Sequence, residues 1–359
     1  VPCSRSITEA GSSMNLSLRL PSGRSLWYNG RMAKIVFLEV LKDEESLVQE
    51  QFPEASIVPW ALNAEELIET CKDAEVISTF IYSQFPRNVI EELPRLKLLC
   101  TRSVGYDHID LSACEERGVI VCNVPDYGSH VIAEHVFAML LSTLRHIAQA
   151  DALVEAGKFD YRGLRGMALS GKTVGIIGTG KIGSCVARIA HGFGMRILAH
   201  SHCAIAELEE KYGVRYLPFY DVLDQSDIVT LHVPASQETE HVINDVALHR
   251  MKKGVILINT ARGELIDTKA LVAALQGGKI GYAMLDVMEH EKNFEENKEL
   301  IGIPNVITTP HIAFYADDSM QNMYDDCFES IDQWEKQGAP MHIVRSKNIA
   351  CGPKTPGAS

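Results

Sequence analysis

Basic residues are in deficit in this 359-residue chain: 34 Lys and Arg stand against 47 Asp and Glu, a formal net charge of -13. A field of that sign repels nucleic acid and anionic lipid, so no nucleic-acid partner is expected. No segment approaches the roughly 18 consecutive apolar residues of a membrane span. The apolar runs are as short as Val255 to Ile258, and Glu134, His135 and Arg145 interrupt the richest helical stretch. No membrane association is expected. The nine cysteines are odd in number, widely spread and without a C-x-x-C pair, which excludes a disulfide framework and a zinc clip and fits a reducing, cytoplasmic compartment. With 46% hydrophobic and 23% charged residues the composition is that of an ordinary globular chain. At about 150 residues per domain the length allows two domains.

Residues 1–31 hold seven serines, four arginines, no lysine and one acid, Glu9, and little periodicity. They are expected to be an unstructured extension, by composition either a transit peptide or upstream sequence; Met32, just before the strand-like Ala33 to Val40, reads as a natural start. Beyond it, apolar runs alternate with helical stretches: Lys34 to Leu38, Ala64 to Cys71, Val76 to Phe80, Arg87 to Leu93, Leu96 to Thr101. That order is the signature of βαβ units on a parallel sheet. Apolar residues at 132, 136, 137, 140, 141, 144 and 147 predict one long buried helix from Ile132 to Ile147, with Ser129 as its N-cap, suited to joining domains or subunits. A second block of strands follows at Thr173 to Ile177, Arg196 to Ala199, Asp227 to His232, Val255 to Asn259, Ile280 to Asp286 and Asn305 to Thr308. The last helix starts near Asp317, carries Met320, Met323, Tyr324, Cys327, Phe328, Ile331 and Trp334 on one face, and stops at Gly338. The segment from Ser346 is read as a frayed tail.

Gly178-Thr179-Gly180-Lys181-Ile182-Gly183 joins a strand to a helix. In that context Gly178 allows the tight turn, Gly180 admits a pyrophosphate to the backbone, and Gly183 lets helix pack on strand, while the helix N-terminus attracts the anion. An acid selective for the NAD ribose belongs about 20 residues further on. Here the chain reads His200-Ser201-His202, with neither an acid nor an arginine to hold a 2′-phosphate, so Ser201 and His202 leave NAD or NADP open, with NAD ahead. The His-x-His-Cys cluster at 200–203 lacks a fourth ligand at a recognised spacing and reads as a ribose edge or a plain loop. No metal site is assigned.

Three further segments lie just past strand ends, where ligands bind in open α/β sheets: Asn259-Thr260-Ala261-Arg262-Gly263, Asp286 to Glu291, and Thr309-Pro310-His311. Singly, Arg262 is a surface cation, Glu291 a solvated acid and His311 one of thirteen histidines. Together they supply a cation for a carboxylate, an acid/base for a hydroxyl proton and a carboxylate to orient it, the set that hydride transfer from a 2-hydroxy acid needs.

In these ordered motifs the chain resembles the D-specific 2-hydroxyacid dehydrogenases over nearly all of Met32 to Val344. The resemblance implies α/β architecture: two doubly wound parallel-sheet domains, a Rossmann cofactor domain (132–311) inserted into a flavodoxin-like substrate domain (32–131 and 312–346), with 347–359 a tail. It implies His311 as acid/base, Glu291 as its partner and Arg262 as carboxylate anchor. The motif Arg102-Ser103-Val104-Gly105-Tyr106-Asp107 implies substrate binding by the amides of Val104 and Gly105. Phe80 to Tyr82, with Tyr127 and Phe314, are implied around the substrate's side chain. Cofactor contacts are implied from Gly178, Gly180, Lys181, Ile182, Gly183, Ser201, His202, His232, Val233, Pro234, Thr239, Thr260, Ala261 and Asp286. Ala313-Phe314-Tyr315 and Asp126-Tyr127 resemble the D-lactate dehydrogenase branch, which implies the D-lactate/pyruvate pair; hydroxypyruvate or glyoxylate reduction is the alternative, and an NAD(H)-sensing corepressor-like binding protein a second. A small-molecule 2-oxo or 2-hydroxy acid partner and a homodimer through the 132–147 helix region are expected.

Overall fold

The computed structural model describes residues 34–346 apart from 292, together with the backbone at 27–28 and 31–32. Trp27–Tyr28 pairs antiparallel with Arg31–Met32, so the end of the stretch expected to lack structure holds a short ladder. The expectations for 1–26 and for the tail beyond 346 lie outside the described residues.

Two sheets organise the rest. In the first the spatial order is Ile343–Val344, Ile120–Cys122, Leu98–Thr101, Val76–Thr79, Ile35–Leu38, Ser56–Val58. All neighbours are parallel except the returning edge Ile343–Val344, which pairs antiparallel with Ile120–Cys122. Numbered along the chain, the five parallel strands run 2-1-3-4-5, the flavodoxin-like order. The second sheet runs Arg215–Tyr216, Arg196–His200, Thr173–Ile177, Ile228–Leu231, Val255–Asn259, Ile280–Leu285, Val306–Thr308. That is the 3-2-1-4-5-6 order of a dinucleotide fold with a seventh strand added. Both sheets carry buried apolar clusters on both faces. This explains the continuous apolar runs: a parallel strand covered on both sides has no polar face.

The long helix was expected to run unbroken to Ile147. It spans Ser129–Leu144, and a second helix, Ile147–Glu155, follows a break at His146, whose φ is 52°. The cause is tertiary. The amide of Met167 donates to the carbonyl of Leu144 at 3.0 Å, and Gly166 crosses so closely that a Cβ there would lie 2.1 Å from that oxygen. Ser129 is inside the helix, behind Gly128 as N-cap, and its hydroxyl donates to Asp126 at 2.9 Å. The helix Asp317–Gln337 ends on Gly338 at φ 75°. Its Tyr324, Cys327, Phe328, Ile331 and Trp334 are buried in one cluster with Phe37 and Leu98 of the first sheet and with Phe52, which caps the helix Glu45–Gln51. Each such side chain contributes roughly 1.5–3 kcal/mol of burial, which brings the end of the chain back onto its beginning. Among the described residues no single helix is long and apolar enough to cross a membrane.

Candidate active site

The catalytic candidates come from segments far apart in sequence. His311, at φ 55°, follows the strand Val306–Thr308, and its Nδ1 lies 3.1 Å from Oε2 of Glu291. That bond leaves Nε2 as the nitrogen for chemistry. The loop around it is fixed by Asp286, a buried carboxylate. Oδ1 accepts from the amide of Ile312 and from the Thr309 hydroxyl, Oδ2 accepts from the amide of Ala313 at 2.9 Å, and the Asp286 carbonyl accepts from the amide of His311. The Asp286 side chain, with no exposed surface, is engaged in orienting the histidine loop. His135, which the sequence marks only as a break in an apolar stretch, lies with Nε2 3.1 Å from the Thr309 hydroxyl.

Arg262 projects from the segment after Val255–Asn259, where Asn259 ties the turn by donating to the Arg262 carbonyl and accepting from the Ala261 amide. Its Nε donates to Asp107 at 2.8 Å, and its Nη2 lies directly over Gly105. No partner for the amide N–H of Val104 or Gly105 is found among the described residues. A carboxylate between those amides and the guanidinium would satisfy both.

Beside His311 stands an aromatic wall. Phe314 lies 6.3 Å from the imidazole centroid, 5.1 Å from Phe80 and 6.4 Å from Tyr127, and Tyr82 lies 5.8 Å from Phe80. Phe80 and Tyr82 are the residues the resemblance implies over the substrate's side chain, and the structure brings them together with Phe314. Burial, then Glu291, Glu39 and Asp286, push the Tyr82 phenol up, so it stays an O–H donor. Burial does the same for Tyr127. Beneath the wall His108 is held neutral, burial pushing it down to about 4. Neither Asp107, the partner of Arg262, nor Glu39 was singled out from the sequence. The available signal for Glu39 was an acid inside the apolar run Ile35 to Val40.

The phosphate loop fits a dinucleotide. Gly178 has φ 95°, and a Cβ there would meet the His232 carbonyl at 2.5 Å; at Gly183 it would meet the Gly178 carbonyl at 2.0 Å. At Gly180 it would meet nothing within 4 Å, so this backbone faces open space. The helix Lys181–Gly192 begins there with no side-chain cap, leaving first-turn N–H groups for an anion. Lys181 bridges to Asp126 at 3.0 Å. Thr260 Oγ1 is buried without a partner among the described residues, a polar atom that a bound ligand would satisfy. His232, bonded to Thr230, is neutral, burial pushing it down to about 3. Thr239 closes its own turn onto the Pro234 carbonyl at 2.7 Å, so its hydroxyl also shapes the loop containing Val233 and Pro234. Ser201 and His202 follow the strand Arg196–His200 at the ribose position of this fold.

Residues 137–313 match the family model of the D-isomer specific 2-hydroxyacid dehydrogenase NAD binding domain. The chain is 37% identical over 313 residues to a glyoxylate reductase of Pyrococcus furiosus, covering 85% of this chain and 91% of that one. Among solved structures it superposes with TM-score 0.78 and 35% identity on D-lactate dehydrogenase from Aquifex aeolicus complexed with NAD and lactic acid, covering 84% of this chain and 96% of that one. The apo D-lactate dehydrogenase of Escherichia coli gives 0.77 and 31%, covering 87% and 99%.

The chain belongs to the D-isomer specific 2-hydroxyacid dehydrogenases.

As a member of that family it is an oxidoreductase that uses a nicotinamide cofactor and acts on a small hydroxy acid. The fold agrees, with a dinucleotide-type sheet over most of the matched residues and a flavodoxin-like sheet carrying Val104, Gly105 and Tyr82.

Proposed function

We propose that the protein interconverts small 2-oxo acids and D-2-hydroxy acids, with pyruvate and D-lactate as the preferred pair. The observation that carries this is the His311–Glu291 pair, 3.1 Å apart, set beside an aromatic wall, in a chain where Arg262 lies over Gly105 next to two amides unpartnered among the described residues. A nicotinamide dinucleotide held by the Gly178–Gly183 loop would supply the hydride for the carbonyl carbon in reduction. His311 gives its Nε2 proton to the carbonyl oxygen, Glu291 holds Nδ1 so that Nε2 faces the substrate, and Arg262 with the Val104 and Gly105 amides holds the carboxylate. Phe80, Tyr82, Tyr127 and Phe314 line the side-chain subsite. An apolar wall gains more from a methyl group than from hydrogen, which favours pyruvate over glyoxylate. The glyoxylate reading draws its support from relatives such as the Pyrococcus furiosus enzyme.

In this reading residues 132–311 form the NAD(P)-binding domain, and 32–131 with 312–346 the substrate domain. Gly178, Gly180, Lys181, Ile182 and Gly183 hold the pyrophosphate; Ser201 and His202 lie at the ribose; His232 to Pro234, Thr239, Thr260 and Ala261 border the remaining groove. With serine at the ribose position, both NAD and NADP are used, NAD ahead. The homodimer expected through 132–147 needs its surface moved along the chain. Ile132, Val136, Phe137 and Leu140 are buried within the subunit, whereas Ile147, Val154, Phe159 and Tyr161 are exposed, so 147–161 is the surface we assign to a second copy.

The test is a panel of 2-oxo acids with NADH and NADPH, following loss of reduced-nicotinamide absorbance, with chiral analysis of the product. D-Product from pyruvate is expected, and His311→Gln and Glu291→Gln should each lose most of kcat. Failure to reduce any 2-oxo acid, or formation of L-product, would overturn the reading.

A further inference from the structure

In the first sheet the chain direction of the connections reverses between Ile35–Leu38 and Val76–Thr79, neighbouring strands numbered first and third of the parallel five. Ligands in open α/β sheets bind in the crevice at such a point, beyond the carboxyl ends of the strands. Glu39 directly follows the first of these strands, and the loop 80–83 directly follows the other.

Glu39 is 9% exposed and has φ 57°, a left-handed conformation uncommon for a residue with a side chain. Arg102, 1% exposed, maintains it. The guanidinium donates from Nη2 to the carbonyls of Leu38 at 2.7 Å and Glu39 at 3.0 Å, and from Nη1 to Ser78 Oγ at 2.9 Å, with the Tyr324 ring 5.1 Å from its centre. So held, the Glu39 carboxylate turns across the crevice. Oε1 accepts from the amide of Ser83 at 2.6 Å and from the Thr79 hydroxyl at 3.3 Å, and Oε2 accepts from the amide of Tyr82 at 3.1 Å.

The loop gripped in this way carries the aromatic wall. Phe80 packs on Phe314, which packs on His311, and Tyr82 packs on Phe80. A carboxylate accepting from two consecutive amides fixes backbone position more firmly than neutral acceptors do.

We propose that Glu39 is a positioning residue that sets the depth of the substrate side-chain subsite through the loop 79–83. The inference rests on the functional reading above. Glu39 does not touch the reacting atoms. It acts on the side chain of the 2-oxo acid through Phe80 and Tyr82, and so discriminates pyruvate from glyoxylate, which has no side chain to meet the wall.

Glu39→Gln replaces one acceptor oxygen by an N–H group facing a backbone N–H, which releases the loop. The expected result is a KM for pyruvate raised about tenfold, kcat within about threefold of the parent, and an unchanged KM for the nicotinamide. The ratio of kcat/KM for glyoxylate to that for pyruvate should rise. Combined with Phe80→Ala the effects on KM should be far from additive, because both act on the same wall. Additive effects, or equal losses with every substrate expressed in kcat alone, would overturn the proposal. Should Glu39→Gln not fold, Thr79→Val removes one of the three donors without changing shape, and a KM for pyruvate raised about twofold is expected; no change overturns it. A parent unable to reduce any 2-oxo acid overturns both readings, whereas an active parent matched by its Glu39→Gln variant overturns this one alone.

Discussion

Arg262 donates from Nε to Oδ2 of Asp107 at 2.8 Å, joining the loop beyond Val255–Asn259 in one sheet to the loop beyond Leu98–Thr101 in the other. With Nε engaged and Nη1 on the Ala261 carbonyl at 2.8 Å, Nη2 is left over Gly105, beside the free amides. Asp107 thus aims the guanidinium. Asp107→Asn should lower kcat/KM for pyruvate about tenfold, mostly through KM. Arg262→Lys should lower it by about 100-fold or more, since an ammonium lacks the planar fork that grips a carboxylate while also holding a second partner. Steady-state kinetics of both variants check this, and parental values in Asp107→Asn would remove Asp107 from the role.

A single methyl group should test the same geometry. A Cβ at Gly105 would fall 1.6 Å from Arg262 Nη2 and 2.9 Å from its Cζ, so in Gly105→Ala the guanidinium has to move aside. Displacements of about 1 Å cost on the order of 100-fold in rate. We expect that loss in kcat/KM with an almost unchanged Tm, because the atom displaced is the end of a flexible side chain. Activity near the parental level would show that Arg262 works from another position.

Acid sensitivity should trace in part to His108. Burial lowers its pKa from 6.5 to about 4, opposed by Glu39 and Asp107 and aided by Arg262, and its Nε2 lies 3.3 Å from Thr101 Oγ1. The unfolded chain therefore takes up a proton below about pH 6.5 that the folded chain refuses. Stability falls as pH drops through that value and continues to fall until about 4. At pH 5 the loss is about 2 kcal/mol. His108→Gln, which keeps a polar atom for Thr101, should lose less stability than the parent between about pH 7.5 and 5 in denaturant titrations. Equal losses would show that His108 is not the group responsible.

Cofactor choice should turn on Ser201. A carboxylate there would accept from the ribose hydroxyls and repel a 2′-phosphate, which the serine does not. Ser201→Asp is expected to shift the kcat/KM ratio toward NADH by about tenfold or more, chiefly by weakening NADPH. A parent already strongly selective for NADH, with no change in the variant, would place the discrimination elsewhere.

The regular elements were legible because each announces itself locally. The helix Ala64–Cys71 and the strands Thr173–Ile177 and Val255–Asn259 begin and end where periodicity places them, and the last helix stops at its glycine. The shortest pieces escaped. Ser56–Val58, Ile120–Cys122, Arg215–Tyr216 and Ile343–Val344 have two or three residues each, too few to establish a period. Their extended form comes from the neighbouring ladder.

What the sequence determined by itself was chemistry tied to neighbouring residues: the glycines of the phosphate loop, the ends of the long elements and the residue types proposed for proton transfer and carboxylate binding. Those depend on φ preferences and on side-chain functional groups, which are properties of a residue and its nearest neighbours. Only the tertiary structure decided which groups meet. The meeting of Arg262 with Asp107, the grip of Glu39 on the 79–83 loop, the closing of Asp286 on the histidine loop and the capture of the Leu144 carbonyl by Met167 all join segments separated along the chain. Such contacts depend on where strand order brings loop ends in space, and on which polar groups burial obliges to find a partner.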